Sequence, residues 1–136
     1  MLTTATWNSH LHFTATSDNG HSVPIDTTTE GGSLNQGMNP KQMLLGSLCV
    51  CSGMDVVSIL EKMQVPFSHL TITAQAEQTT EHPKVFKDIA MVYQLKVATE
   101  FAAKVERAVE LSHTKYCGIS AMLSKHCAIT YSIQIA

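Results

Sequence analysis

Charge is scarce in this chain. Of its 136 residues 15% are Asp, Glu, Lys or Arg, the formal net charge is −2, and arginine occurs once, at Arg107. No basic run exists, so the electrostatic footprint of a nucleic-acid binder is missing. No segment approaches the roughly 18–20 uninterrupted apolar residues expected of a membrane span. Met1-Leu2-Thr3-Thr4-Ala5-Thr6-Trp7 has neither the basic region nor the apolar core of a secretory signal. The expectation is a cytoplasmic protein with neither nucleic acid nor membrane as partner. No linker, repeat or low-complexity stretch interrupts the sequence, so residues 1–136 read as a single domain, long enough to bury a core without metals or disulfides. Glu30-Gly31-Gly32 lacks the Gly-Lys-Ser/Thr ending of a phosphate loop, and no Gly-x-Ser-x-Gly elbow offers a serine nucleophile.

Cysteine is what remains. In a reducing compartment a functional cysteine pair points to catalysis or metal binding before structure. Cys49 and Cys51 form Cys-x-Cys. Two helical residues are rotated by about 200°, so these thiols point apart and make neither a zinc pair nor an easy disulfide. Cys127 has no partner motif, and Cys49 and Cys127 read as core thiols. Cys51 and Cys117 differ. Gly46, Ser47, Ser52 and Gly53 keep the surroundings of Cys51 small, leaving room for a ligand, and Asp55 follows one turn later. Cys117 ends Ser112-His113-Thr114-Lys115-Tyr116-Cys117, a polar turn before a short helix, where the positive helix end favours thiolate. The expectation is a two-cysteine redox site built from distant segments.

Seven histidines raise the question of zinc. His10 and His12 would share a strand face, with His21 across the hairpin. No Cys or carboxylate sits at ligand spacing beside them, so that face reads as a solvated one opposite Trp7, Leu11 and Phe13, and no metal is expected.

Alternating apolar residues predict a strand over Thr4–Thr16, a turn at Asp18-Asn19-Gly20 and a returning strand over His21–Thr28. A glycine-rich loop covers Glu30–Met38. Asn39 as N-cap and Pro40 in the first turn open a helix running to about Lys62. Met43, Leu44, Leu45, Leu48, Val50, Met54, Val56, Val57, Ile59 and Leu60 cover most of its circumference. A helix apolar all round must be buried all round, and a second subunit is the simplest cover. Strands follow at Leu70–Glu77 and Ile89–Val97, then a helix over Glu100–Leu111, a short one from Cys117 to Lys125, and a last strand over Ile129–Ile135. This order predicts an α+β fold.

Asn39-Pro40, Leu44-Leu45, Cys51 on the long helix and Tyr116-Cys117 before a short one together resemble the OsmC/Ohr family, the osmotically inducible and organic-hydroperoxide-resistance proteins. The stretches Cys51-Ser52-x-x-Asp55-Val56-Val57-Ser58-Ile59-Leu60, Pro83-Lys84-Val85-Phe86 and Ser112-x-x-x-Tyr116-Cys117 are most similar to its YhfA-like branch. The resemblance implies an intertwined homodimer, long central helices packed together and antiparallel sheets wrapped outside. It also implies a cysteine-dependent peroxide reductase of oxidative stress defence. Cys51 would be the peroxidatic residue and Cys117 the resolving one, with a small hydroperoxide as substrate, an external dithiol as reductant and no flavin, haem or metal cofactor. Peroxidase members carry an arginine in the N-terminal sheet region and a glutamate just after the helix-opening proline. Here the only arginine is Arg107, and the positions after Pro40 hold Lys41 and Gln42. Lys41 or a histidine of the N-terminal sheet is then the available substitute cation. The alternative expectation is a non-catalytic protein of the same fold that binds a small apolar ligand or senses redox state.

Overall fold

Two strands joined by a tight turn stand where the sequence predicts one strand over Thr4–Thr16. In the computed structural model, which describes residues 1–136, β1 is Thr3–Ser9 and β2 is His12–Ser17. They pair antiparallel with Ala5 opposite Ala15 and Trp7 opposite Phe13. Odd positions meet odd positions, so the apolar parity runs through the turn unchanged and hides it. No glycine or proline marks it; His10 takes the left-handed conformation, φ 51°, and Trp7 Nε1–H donates to the His10 carbonyl at 2.9 Å. His10 and His12 therefore do not share a strand face. The turn at Asp18-Asn19-Gly20 is as expected, with Gly20 at φ +88°. Strand β3, Ser22–Ile25, completes a β1-β2-β3 antiparallel sheet.

The chain divides into two compact units, Met1–Leu44 and Leu45–Ala136. In the first, Asp26 organises the loop after β3. It is 2% exposed. Its carboxylate accepts the backbone N–H groups of Thr27 at 2.8 Å and Gln36 at 3.0 Å. Burial pushes its pKa up, but the Ser33 hydroxyl, those two N–H groups and the charge of His12 outweigh burial and hold it at about 2.

Helix α1 is Pro40–Lys62. Its start is a reciprocal cap: Gln42 N–H donates to Asn39 Oδ1 at 2.9 Å, and Asn39 N–H donates to Gln42 Oε1 at 3.0 Å. By length and composition α1 is apolar enough to cross a membrane, which corrects the expectation that no segment approaches such a run. Gly, Ser and Cys punctuate the apolar residues without making the helix polar. Within the chain only Leu48, Ser52, Val56 and Leu60 are fully buried, an i, i+4 stripe down one side.

In the second unit β4, Phe67–Gln78, pairs antiparallel with β5, Phe86–Val97. A 3₁₀ turn, helix α2 over Ala102–Leu111, a π-helical turn over Ser112–Tyr116 and helix α3 over Gly118–Leu123 lead to β6, Ala128–Ile135. β6 pairs parallel with β5, because the helices supply the crossover that a parallel pair needs. One sheet is thus antiparallel and the other mixed, in an α+β fold. The core joins the stripe of α1 to Ile89, Met91, Tyr93 and Leu95 of β5 and to Val105, Ala108 and Val109 of α2.

A carboxyl whose folded pKa is depressed stabilises above its unfolded value of 3.8, and that contribution is lost as pH falls through about 2. Asp26→Asn is therefore expected to lower the melting temperature at neutral pH. The gap from wild type should shrink as pH falls from about 4 to 2, measured by circular dichroism melts.

Candidate active site

The buried stripe of α1 carries a hydroxyl in its middle. Ser52 stands in helical register with Leu48 and Val56, fully buried, so it must find hydrogen-bond partners inside the core. It finds the phenol of Tyr93 at 2.5 Å and the hydroxyl of Ser112 at 2.9 Å. Ser112 donates to Asp55 Oδ2 at 3.0 Å. Tyr93 Oη meets His113 Nε2 at 2.7 Å, and His113 Nδ1 meets Ser120 Oγ at 3.2 Å. A continuous chain of polar side chains thus runs from Asp55 on α1 to Ser120 in the first turn of α3.

Cys117 lies at the far end of this chain. It caps α3, its sulfur accepting the Ser120 backbone N–H at 3.3 Å. The π-helical turn before it closes with Cys117 N–H donating to the Ser112 carbonyl at 2.8 Å. That turn aims Cys117 inward, near enough to Cys51 for the two thiols to interact. Both thiols are free. The two cysteines that the sequence singles out are therefore brought near one another from elements far apart in the chain.

The electrostatics of Cys117 run against the expectation from its helix start. It is 3% exposed. Burial pushes its pKa up to about 11, helped by the hydrogen bond to Cys51 and the negative charge of Asp55, and the Ser120 N–H offsets only part of this. Desolvation outweighs the dipole of a short helix. Tyr93 is likewise raised to about 12, mainly by burial, and burial lowers the pKa of His113. His113 is clamped by its rings as well: it stacks on Tyr131 at 4.6 Å and 12°, with Tyr93 edge-on at 6.0 Å.

The remaining candidates fall elsewhere. Cys49 points away from Cys51, as helical geometry requires, and lines an apolar groove of about 470 Å³ with Val50, Gly53, Met54, Val57, Leu70 and Ile72. Gly53 does not simply leave room there, since a Cβ would approach Ile72 Cδ1 to 3.0 Å, so it permits close packing of α1 on β4. Cys127 packs against the core. Arg107 pairs with Glu110 at 2.7 Å on the exposed side of α2. No group of three or more His, Cys, Asp or Glu side chains is close enough to hold a metal ion. A second groove, of about 420 Å³, is lined by Asp55, Ser58, Ile59, Lys62, Met63, Leu111 and Tyr116.

Ser52, Tyr93, Ser112, His113 and Ser120 were not legible as a set. The available signals were a serine in an apolar i, i+4 register at Ser52 and the Ser112-His113 pair just ahead of Cys117.

The family model for OsmC-like proteins matches residues 31–132. Protein YhfA of Escherichia coli K12 is 33% identical over 129 residues, which are 95% of this chain and 93% of that protein. Among solved structures, a hypothetical protein from Aquifex aeolicus VF5 superposes with a TM-score of 0.80 at 25% identity, covering 99% of this chain and 96% of the other. The organic hydroperoxide resistance protein OhrB of Bacillus subtilis gives 0.65 at 17% identity, covering 98% of each, a likeness of fold alone.

Replacing Tyr93 by Phe leaves the Ser52 hydroxyl and a His113 ring nitrogen without their shared partner. Each buried unpaired polar group costs roughly 1–3 kcal/mol. Ser52 keeps its bond to Ser112, so Tyr93→Phe is expected to destabilise the fold by roughly 1–3 kcal/mol in urea titrations, although it removes a single oxygen.

Proposed function

The chain belongs to the OsmC-like family, and on that premise we propose that it is a thiol-dependent hydroperoxide reductase whose redox pair is Cys51 and Cys117. The observation that carries this reading is the proximity of the two thiols, close enough for Cys51 to act on the ionisation of Cys117. Cys51 thiolate attacks the peroxide; the O–O bond breaks, Cys51 becomes a sulfenic acid, and the departing alkoxide takes up the proton given up by the thiol. Cys117 then attacks the sulfenic sulfur. An S–S bond forms, the S–O bond breaks, and the leaving hydroxide combines with the Cys117 proton as water. An external dithiol restores both thiols by exchange. The order of roles follows from burial. A thiol at about 11 holds little thiolate at neutral pH, so Cys117 suits the second, intramolecular step and Cys51 the first.

The same family premise supports a homodimer in the bacterial cytoplasm, where thiols are kept reduced. Val50 and Met54 of α1 are 56% and 68% exposed, and Trp7 is 63% exposed. Burying one such side chain is worth roughly 1.5–3 kcal/mol. A second copy covering α1 accounts for a helix that is apolar all round without recourse to a membrane. A second functional reading, binding of a small apolar ligand or redox sensing without efficient turnover, is favoured by the apolar groove beside Cys49 and by the engagement of the only arginine with Glu110.

In a dithiol-linked assay with an organic hydroperoxide, Cys51→Ser is expected to abolish consumption. Cys117→Ser should allow a single oxidation per chain and leave a sulfenic acid on Cys51 that dimedone labels. Peroxide consumption that survives Cys51→Ser would sink the proposal. Because burial, the main cause of the raised Cys117 pKa, persists when Cys51 is oxidised, disulfide closure should speed up roughly tenfold per pH unit between about pH 7 and 9. Light scattering at micromolar concentration should give twice the chain mass, and a folded monomer would contradict the dimer.

A further inference from the structure

The polar chain beside the cysteines has a direction, and proton counting reveals it. A carboxylate can only accept, and each hydroxyl has one proton to give. Ser112 donates its proton to Asp55. Its contact with Ser52 is then satisfied only if Ser52 donates to Ser112. Ser52 has nothing left for Tyr93, so the phenol donates to Ser52. The Tyr93 oxygen must then receive from His113 Nε2–H. A neutral imidazole protonated at Nε2 carries its lone pair at Nδ1, which accepts from the Ser120 hydroxyl. Every proton points toward Asp55, and every bond has one.

The relay also joins the two cysteine-bearing segments. Ser52 and Asp55 stand on α1 beside Cys51; Ser112, His113 and Ser120 flank Cys117. Ser112 alone holds two contacts to α1 across the join. The ring contacts of His113 with Tyr93 and Tyr131 fix where that imidazole sits, so its tautomer is the variable left for the relay to set.

We propose that Asp55 is a positioning residue for the cysteine pair: its carboxylate orients the relay, fixes His113 as the Nε2–H tautomer and holds the segment bearing Cys117 against the helix bearing Cys51. It rests on the reading of Cys51 and Cys117 as a redox pair, but its signature does not need peroxide. Burial keeps His113 in the neutral form that the count requires.

The test uses the full chain with ¹⁵N-labelled histidine, reduced, at neutral pH. Long-range ¹H–¹⁵N correlation should show His113 with a protonated Nε2 and a bare Nδ1. In Asp55→Asn the amide can donate into Ser112, so the relay loses its fixed sense and a substantial Nδ1–H population should appear. Disulfide closure is read separately with diamide, whose N=N bond takes the two protons and two electrons that the thiols release as S–S forms. Asp55→Asn should slow closure on the order of tenfold, since misplacement of reacting groups by an ångström or so carries penalties of this size or larger. These outweigh the gain in Cys117 thiolate from losing the Asp55 charge, the smallest of the causes that raise that pKa. A wild-type His113 that is Nδ1–H or doubly protonated overturns the proposal, as does an Asp55→Asn chain with unchanged tautomer and closure rate. If Asp55→Asn does not fold, the wild-type tautomer decides. Wild-type protein that closes with diamide yet ignores hydroperoxide overturns the peroxidase reading alone and leaves the relay standing.

Discussion

Ser52 puts a hydroxyl where the packing of α1 asks for an apolar side chain, and much of the second unit is arranged around satisfying it. A buried hydroxyl left unpaired costs roughly 1–3 kcal/mol. Tyr93 has to present its phenol from the buried side of β5, and Ser112 has to continue the buried stripe of α2 past the end of the helix. Ser112 in turn draws in Asp55, and Tyr93 draws in His113. Once Ser112 and His113 are held there, the chain that follows has little freedom. The π-helical turn fits one extra residue into the helical path and delivers Cys117 to Cys51. The thiol pair is a consequence of a satisfied polar network in the core.

The same core sets the electrostatics of the pair. Cys117 is surrounded by apolar packing, a thiol and a carboxylate, all of which favour the protonated form. The asymmetry suits two thiols with sequential tasks. In the proposed cycle, a resolving thiol that stays neutral until its partner is oxidised would not compete for the first reaction, and proximity would compensate for its low thiolate content. The absent glutamate and arginine have structural counterparts as well: Gln42, at a position after the helix-opening proline, serves the helix cap, and Arg107, the one arginine, serves an ion pair with Glu110.

Strands and helices were legible because each left a local pattern, and Cys51 and Cys117 stood out by the motifs around them. Asn39-Pro40 marks a helix start in two residues, and the alternation of Leu70 to Ala76 marks β4. The hairpin at His10 left none, because a register pairing odd with odd positions preserves the alternation across the turn. The parallel placing of β6 depends on how α2 and α3 cross over, which no stretch of sequence encodes locally. The polar relay was hidden for a related reason. Tyr93 looks like another apolar member of its strand, and Ser112 and Ser120 look like ordinary helix-end serines; their meaning lies in meeting across tens of residues. Burial also reversed the charge argument at Cys117, since a helix-end dipole is visible in sequence and desolvation is not.

The central claim is that Cys51 and Cys117 are one redox pair, and peptide mapping after brief oxidation tests it most directly. Reduced protein is treated with one equivalent of an organic hydroperoxide, quenched by alkylation and digested without reductant. The expected product is a single cross-linked peptide pair joining the segment of Cys51 to that of Cys117, with Cys49 and Cys127 alkylated. Cross-links through Cys49 or Cys127, or alkylated Cys51 and Cys117 after peroxide has been consumed, would contradict the account.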